Sequence, residues 1–232
     1  MSDYGCFTTF RVERDGVRGW EAHLERLVRD SGVLFDRSIG RDQVEAAVRR
    51  ALVGLPRPVL LRAAVTADDH TLGRPGGSAL SVTVTPRPVH TDPTPLTVAT
   101  VAHQRALSSV KYLGTTPELL ARRRARLAGH DDALLVADGL VGEGPTWSLV
   151  VLLDGALVSP SRGLPSITVE LLGRVRAIER RDVRVDELAV AEAAAAVNAG
   201  WGVRPIASID GWNLPATTDL RTAYLGIARD PV

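Results

Sequence analysis

Gly5-Cys6-Phe7-Thr8-Thr9-Phe10-Arg11-Val12, followed by His23-Leu24-Glu25-Arg26-Leu27, sets the opening architecture of this chain. Phe7, Thr8, Thr9, Phe10 and Val12 are the β-branched and aromatic residues that suit a pleated strand, and Asp15-Gly16 supplies a turn after them. Beyond the turn, Trp20, Leu24, Leu27 and Val28 recur at helical spacing across residues 20 to 31. Strand alternation sends one of Thr8 and Thr9 inward and the other out, without saying which.

The pattern continues as alternating strands and helices. Val44, Val48, Ala51 and Leu52 share one face of a second helix over residues 41 to 53, closed by Pro56 and Pro58. Val59 to Val65 and Ala79 to Val84 read as strands joined by a Gly/Pro-rich loop, and Leu96 to Val101 as another. Between them, Pro86, Pro88, Pro93 and Pro95 mark an edge connection or an interdomain approach. Thr116-Pro117-Glu118 opens a helix that runs through Arg126, with a hydroxyl cap, a first-turn proline and an early acid. Strands follow at Ala133 to Ala137, Ser148 to Leu153 and Ala156 to Val158, with a hairpin turn at Asp154-Gly155. Ile167 to Ile178 and Glu187 to Ala195 are expected helices, Val203 to Ile209 a strand, and Thr218 to Leu225 a short helix. The expected organisation is a small α/β subdomain over residues 1–104, a junction over 105–115, and a larger subdomain over 116–232. Junctions of this kind are common places for ligand sites.

Composition removes several function classes. A net charge of +1 gives no broad electrostatic case for nucleic acid or an acidic membrane surface. No apolar run reaches the roughly 20 residues that span a bilayer, and the first residues carry no signal-peptide pattern. One cysteine, Cys6, excludes an internal disulfide, and a cytoplasmic protein is the simple expectation. His23, His70, His90, His103 and His130 are scattered without metal-ligand spacing, so no metal is expected. Gly139-Leu140-Val141-Gly142-Glu143-Gly144 has the glycines of a dinucleotide loop but is followed by Pro145 and a strand, not by the helix such a loop needs.

One residue stands apart. Lys and Arg total 28, yet only Lys111 is lysine. A GC-rich coding bias explains the arginines. A position that keeps lysine in such a background is either a chance surface residue or one that needs an amine able to lose its proton and attack a carbonyl. Composition alone weighs the two equally.

The ordered motifs around Lys111 resemble the class IV aminotransferase family, and most closely its aminodeoxychorismate lyase branch. The Cys6-Phe7-Thr8-Thr9 run before His23-Leu24-Glu25-Arg26-Leu27 is similar to that branch's opening. Val110-Lys111, then Asp132-Ala133-Leu134-Leu135-Val136 leading to Val141-Gly142-Glu143-Gly144, then Gly163-Leu164-Pro165-Ser166-Ile167-Thr168, then Asn198-Ala199 with Arg204-Pro205-Ile206, follow in the family's order. The resemblance implies an α/β (α+β) fold of two subdomains, the pyridoxal phosphate fold type IV. It implies pyridoxal 5'-phosphate held as a Schiff base by Lys111, which then acts as base at Cα of an amino substrate's external aldimine. Glu143 matches the carboxylate that keeps the pyridine nitrogen protonated, and Arg26 the phosphate arginine. Ile167 and Thr168 at a helix start, and the loop of Asn198 and Ala199, match further phosphate donors. Thr8 and Thr9 are implied on the substrate side.

From the residues themselves, simpler readings stand beside each role. Arg26, with Arg29 and Asp30 one turn on, also reads as a surface arginine of an amphipathic helix. Glu143 also reads as a solvated turn residue, and Ile167, Thr168, Asn198 and Ala199 as loop punctuation. Trp147, Trp201 and Trp212 either line a pocket or serve a core. The resemblance departs in four places. Family members carry roughly two dozen residues before the first matched strand, which short connections make dispensable for folding. Ser148, Ser166 and Val169 stand where asparagine, glycine and arginine are usual. The expected reaction is elimination of pyruvate, with transamination as the alternative and a non-catalytic relative as a second. A homodimer is the implied assembly.

Overall fold

The alternation of Gly5 to Val12 becomes β1 (Cys6–Glu13), which turns at Arg14-Asp15, one residue before the expected Asp15-Gly16, into the two-residue β2 (Gly16–Val17). α1 (Trp20–Phe35) follows, longer than its periodicity foretold, and then α2 (Arg41–Leu52). β3 (Val59–Ala67) and β4 (Leu80–Arg87) complete an antiparallel sheet of order β2-β1-β3-β4. The computed structural model describes residues 4–89, 94–214 and 218–232. They form two units. The first comprises Met1–His90, Ser109–Gly114 and Ala228–Val232, and the second Thr91–Ser108 and Thr115–Ile227. Lys111 therefore belongs to the first unit, while the strand that precedes it in sequence belongs to the second.

In the first unit the even residues Phe10 and Val12 of β1, and the odd residues Val59, Leu61, Ala63 and Val65 of β3, are buried. They share one core with Leu24 and Leu27 of α1 and Val44 and Val48 of α2. Each fully buried Leu contributes about 1.5–3 kcal/mol relative to exposure, so this stripe holds α1 on the sheet. Pro86 lies in β4 opposite Leu61, and β4 is an edge strand of the sheet, the position where proline is tolerated. Of the proline-rich stretch, residues 90–93 lie outside the described residues.

The second unit contains β5 (Leu96–Ala102), α3 (Thr116–Leu127), β6 (Asp132–Ala137), β7 (Leu140–Val141), β8 (Ser148–Leu153), β9 (Ala156–Pro160), α4 (Ile167–Gly173), β10 (Glu179–Arg181), β11 (Ala193–Asn198), β12 (Gly202–Ile209), β13 (Trp212–Asn213) and α5 (Leu220–Leu225). Its mixed sheet runs β10-β9-β8-β11-β12-β5-β6-β7, with β13 on β12. Val141 N–H donates to Val183 O, and Leu140 bridges Arg184, so the chain just past β10 is hydrogen-bonded to β7 and the sheet curls on itself. The α/β class is thus observed. Asp154 and Gly155 both take positive φ, the geometry that a two-residue hairpin requires.

Three sequence expectations are corrected. Residues Glu187 to Ala195 do not form a helix. A 3₁₀ turn covers Val185–Val190, and the alanine run becomes β11, an interior strand between β8 and β12. Ala193 to Val197 are all buried, and small side chains let both faces pack closely, so tertiary packing overrides alanine's helix preference. The helix expected over Ile167 to Ile178 stops at Gly173, where glycine weakens propagation, and Ile178 instead packs with a buried cluster. The cap of α3 is Thr115, not Thr116, and its hydroxyl makes no capping bond; Pro117 in the first turn is as expected.

Candidate active site

In the first unit, residues 111–113 lie antiparallel beside the start of β1. Phe7 N–H donates to Lys111 O at 2.9 Å, Leu113 N–H to Gly5 O at 2.9 Å, and Cys6 bridges Tyr112. Gly5 is required here, because a Cβ would come 2.4 Å from Val65 O. Tyr112 packs toward the core with Cys6, so alternation turns Lys111 to the opposite face. Its Nζ lies 5.0 Å from the centroid of the Phe7 ring on that face. Asp30 of α1, wholly buried, fixes the segment from behind. Its Oδ2 accepts from Lys111 N–H at 2.9 Å, and its Oδ1 accepts from Arg29 Nε and Nη2 at 3.0 and 2.7 Å.

The same structure settles the alternation of the threonines. Thr8 is buried and its Oγ1 lies 2.7 Å from His23 Nδ1 of α1, while Thr9 sits on the other face, opposite Arg62 of β3. Arg62 is placed 3.8 Å over the Phe7 ring, and burial together with neighbouring Arg87 lowers its pKa. Arg26 is buried and is not the surface residue that its neighbours suggested. His23 is buried. Desolvation first, then Arg26 and Lys111, push its pKa down to about 3, so the ring is neutral. The described residues offer its buried Nε2 no hydrogen-bond partner. That unmet polar atom, with buried Arg26 one helical turn on, suits an anion with several acceptor oxygens. Cys6 has no reactive role here, since burial and then Asp30 push its thiol up to about 12.

In the second unit, Glu143 follows β7 and is anchored by its backbone, with Leu135 N–H donating to Glu143 O at 2.8 Å. It is buried, not a solvated turn residue. Arg105 Nε donates to Glu143 Oε1 at 2.7 Å, and Arg105 Nη1 lies 3.2 Å from Oε1 of Glu118, a wholly buried residue in the first turn of α3. Gly163 makes room for the Glu143 side chain. At φ 113°, a Cβ there would stand 3.2–3.3 Å from Glu143 Cβ, Cγ and Cδ.

Ile167 and Thr168 are the first two residues of α4, and their N–H groups have no acceptor within the helix. The cap Ser166 Oγ accepts from Val169 N–H at 3.3 Å, so the serine that departs from the family pattern has a local use. Asn198 Oδ1 accepts from Gly200 and Trp201 N–H at 2.9 and 3.0 Å, which shapes the turn holding Ala199; the side chain serves the loop. Trp147 is a core residue, its Nε1 donating to Asp132 Oδ2 at 2.9 Å, and Trp212 is exposed. Trp201 packs partly buried against the core beside β11, its Nε1 near Ala196 O.

In the first unit Thr8 meets His23 on the core face and Arg26 lies one helical turn on, while Lys111 and Thr9 lie on the Phe7 face. The second holds Glu143, the α4 start and the Asn198 turn. Sequence reasoning missed Asp30, the role of His23, Arg105 and Glu118. For the first two a signal existed: positions 23, 26, 27 and 30 recur at helical spacing, and polar groups in a buried stripe imply partners. Arg105 lies in no local pattern, and the helix-opening pattern that holds Glu118 does not foretell its burial.

Comparisons with known proteins give the family and the fold. The family model for Amino-transferase class IV matches residues 5–209. A fold IV transaminase of Curtobacterium pusillum is 25% identical, with TM-score 0.80 over 95% of this chain and 83% of its own. A hypothetical aminotransferase of Mycobacterium tuberculosis, in a PLP-bound form, is 24% identical, with TM-score 0.80 over 97% and 90%. A provisionally assigned 4-amino-4-deoxychorismate lyase of Legionella pneumophila is 18% identical, with TM-score 0.82 over 96% and 89%. The last two likenesses speak for the fold alone. A comparison with curated proteins finds no match.

Proposed function

From the premise that this chain belongs to the class IV aminotransferase family, we propose that it is a pyridoxal 5'-phosphate-dependent enzyme acting on a small-molecule amino substrate, with Lys111 as its Schiff-base lysine. The observation that carries the reading is the anchoring of Lys111. Its backbone is fixed by β1 and by buried Asp30, with its amine on the Phe7 face and a neutral His23 and a buried Arg26 in the same unit. When bound, the cofactor supplies an electron sink for a carbanion at the substrate's Cα.

The residues present fit that group. Arg26 and the unmet His23 Nε2 are donors suited to a phosphate, and the N–H groups of Ile167 and Thr168 and the Asn198-Ala199 turn are further candidates. Glu143, buried and oriented by Arg105, has the charge to keep a pyridine nitrogen protonated. Lys111 Nζ takes the proton from substrate Cα and returns it at a later atom. Thr9, on the face that carries Phe7 and Arg62, is the substrate-side threonine, while Thr8 holds the His23 ring in place.

Elimination of pyruvate is the first reading of the reaction, supported by the Cys6-Phe7-Thr8-Thr9 run and the Asn198-Ala199 pair. Transamination is the second, supported by the 25% identical transaminase. Incubation with aminodeoxychorismate divides them. Pyruvate released without any keto acid acceptor supports elimination, and turnover only when a keto acid is supplied sinks it. We further place the protein in the cytoplasm as a homodimer; among the described residues no helix is long and apolar enough to cross a membrane. Size-exclusion chromatography with light scattering tests the dimer, and a monomeric mass would refute it.

A further inference from the structure

In the second unit two buried carboxylates share Arg105. Glu143 meets Arg105 through Nε at 2.7 Å, and Glu118 meets it through Nη1, a different nitrogen, at 3.2 Å. The Arg105 side chain is 4% exposed, that of Glu118 0% and that of Glu143 9%, so water screens none of the three well. His103 Nε2 stands 3.7 Å from the same Glu118 oxygen, beyond hydrogen-bonding range.

One guanidinium balances one carboxylate. A Glu143–Arg105 pair alone would be neutral, and Arg105 would compete with any other cation for Glu143. A second carboxylate on the same guanidinium restores the field of the first. Read as a first-turn acid of α3, Glu118 would face solvent and the helix dipole. Its complete burial against Arg105 shows a different use.

Resting on the reading that Glu143 serves the pyridine nitrogen, we propose that Glu118 is a positioning residue that acts through Arg105. It offsets the guanidinium's charge, so that Glu143 keeps a full negative charge for the protonated ring. The cluster then selects a cationic heteroaromatic ring over a neutral one of the same shape.

The test compares pyridoxal phosphate with its analogue in which the ring nitrogen is replaced by C–H. Dissociation constants for both are read from the Schiff-base absorption band, with apo thermal unfolding recorded for each variant. Wild type prefers pyridoxal phosphate. Glu118→Gln, which keeps size and hydrogen-bonding capacity, reduces that preference about tenfold, the effect of one buried charge a few ångströms further on. Glu118→Asp retains the preference, even where both ligands bind more weakly. A preference in Glu118→Gln equal to wild type, whatever its absolute affinities, overturns the proposal and leaves Glu118 a structural counter-ion. A band absent from wild type, or one surviving Lys111→Ala, sinks the cofactor reading and this inference with it.

Discussion

His23 offers a pH-dependent stability that can be worked out from the structure. Burial, Arg26 and Lys111 hold its folded pKa at about 3, against an ordinary 6.5 when unfolded. Between those values the unfolded chain binds a proton that the folded chain refuses. Stability from this residue is therefore fully present above the unfolded pKa and is lost as pH falls toward the folded one. By linkage, taking the cofactor-free protein from pH 7 to pH 5 costs about 2 kcal/mol through His23 alone. That figure barely depends on how deep the folded pKa lies, because pH 5 stays above it. His23→Asn keeps a polar group near Thr8 and removes the titration. Urea unfolding of both proteins at the two pH values isolates the term, since every other group cancels in the difference. Wild type should lose about 2 kcal/mol more than His23→Asn. Equal losses would refute the argument, as would an imidazole proton resonance that titrates near its ordinary value in the folded protein.

Further perturbations address the neighbouring groups. Gly163→Ala forces a Cβ into left-handed backbone against the Glu143 side chain; it should cost roughly 1–3 kcal/mol in urea unfolding and weaken cofactor binding, and an unchanged variant would contradict the account of Gly163. Arg26→Leu should lose the preference for pyridoxal phosphate over pyridoxal by roughly one to two orders of magnitude in binding titrations, as loss of a charge-assisted phosphate contact implies; a retained preference would remove Arg26 from the phosphate role. Asp30→Ala leaves Arg29 and the Lys111 N–H without their buried acceptor and should destabilise by about 3 kcal/mol, read by urea unfolding; a loss under half of that would mean Asp30 does not fasten the lysine segment.

Much of the architecture was legible where a single physical signal dominated. β1, α1, α2 and the Asp154-Gly155 hairpin each carried matching periodicity, turn chemistry and composition, and the structure has them within a few residues. β11 was not legible, because Ala193 to Ala196 reads as helix by propensity and becomes strand only when neighbours on both sides pack against it. Roles that depended on burial were equally hidden. Arg26 with Arg29 and Asp30 looked like a surface cluster, since nothing local says that Asp30 turns inward to the Lys111 segment. Arg105 and Glu118 come together only through the fold of β5 and α3, at separations no window of sequence spans. Lys111 was different. Its rarity in an arginine-rich chain makes it conspicuous in the composition, and the ordered motifs around it give it a chemistry.

Because Lys111 is the chain's only lysine, the central claim has a direct measurement. The protein is loaded with pyridoxal phosphate, reduced with borohydride to trap the Schiff base, and mapped by peptide mass spectrometry. The account predicts one phosphopyridoxyl group per chain, on the peptide containing Lys111, and none in Lys111→Ala. A wild-type protein that carries no label, or carries it only on the α-amino group, would contradict it.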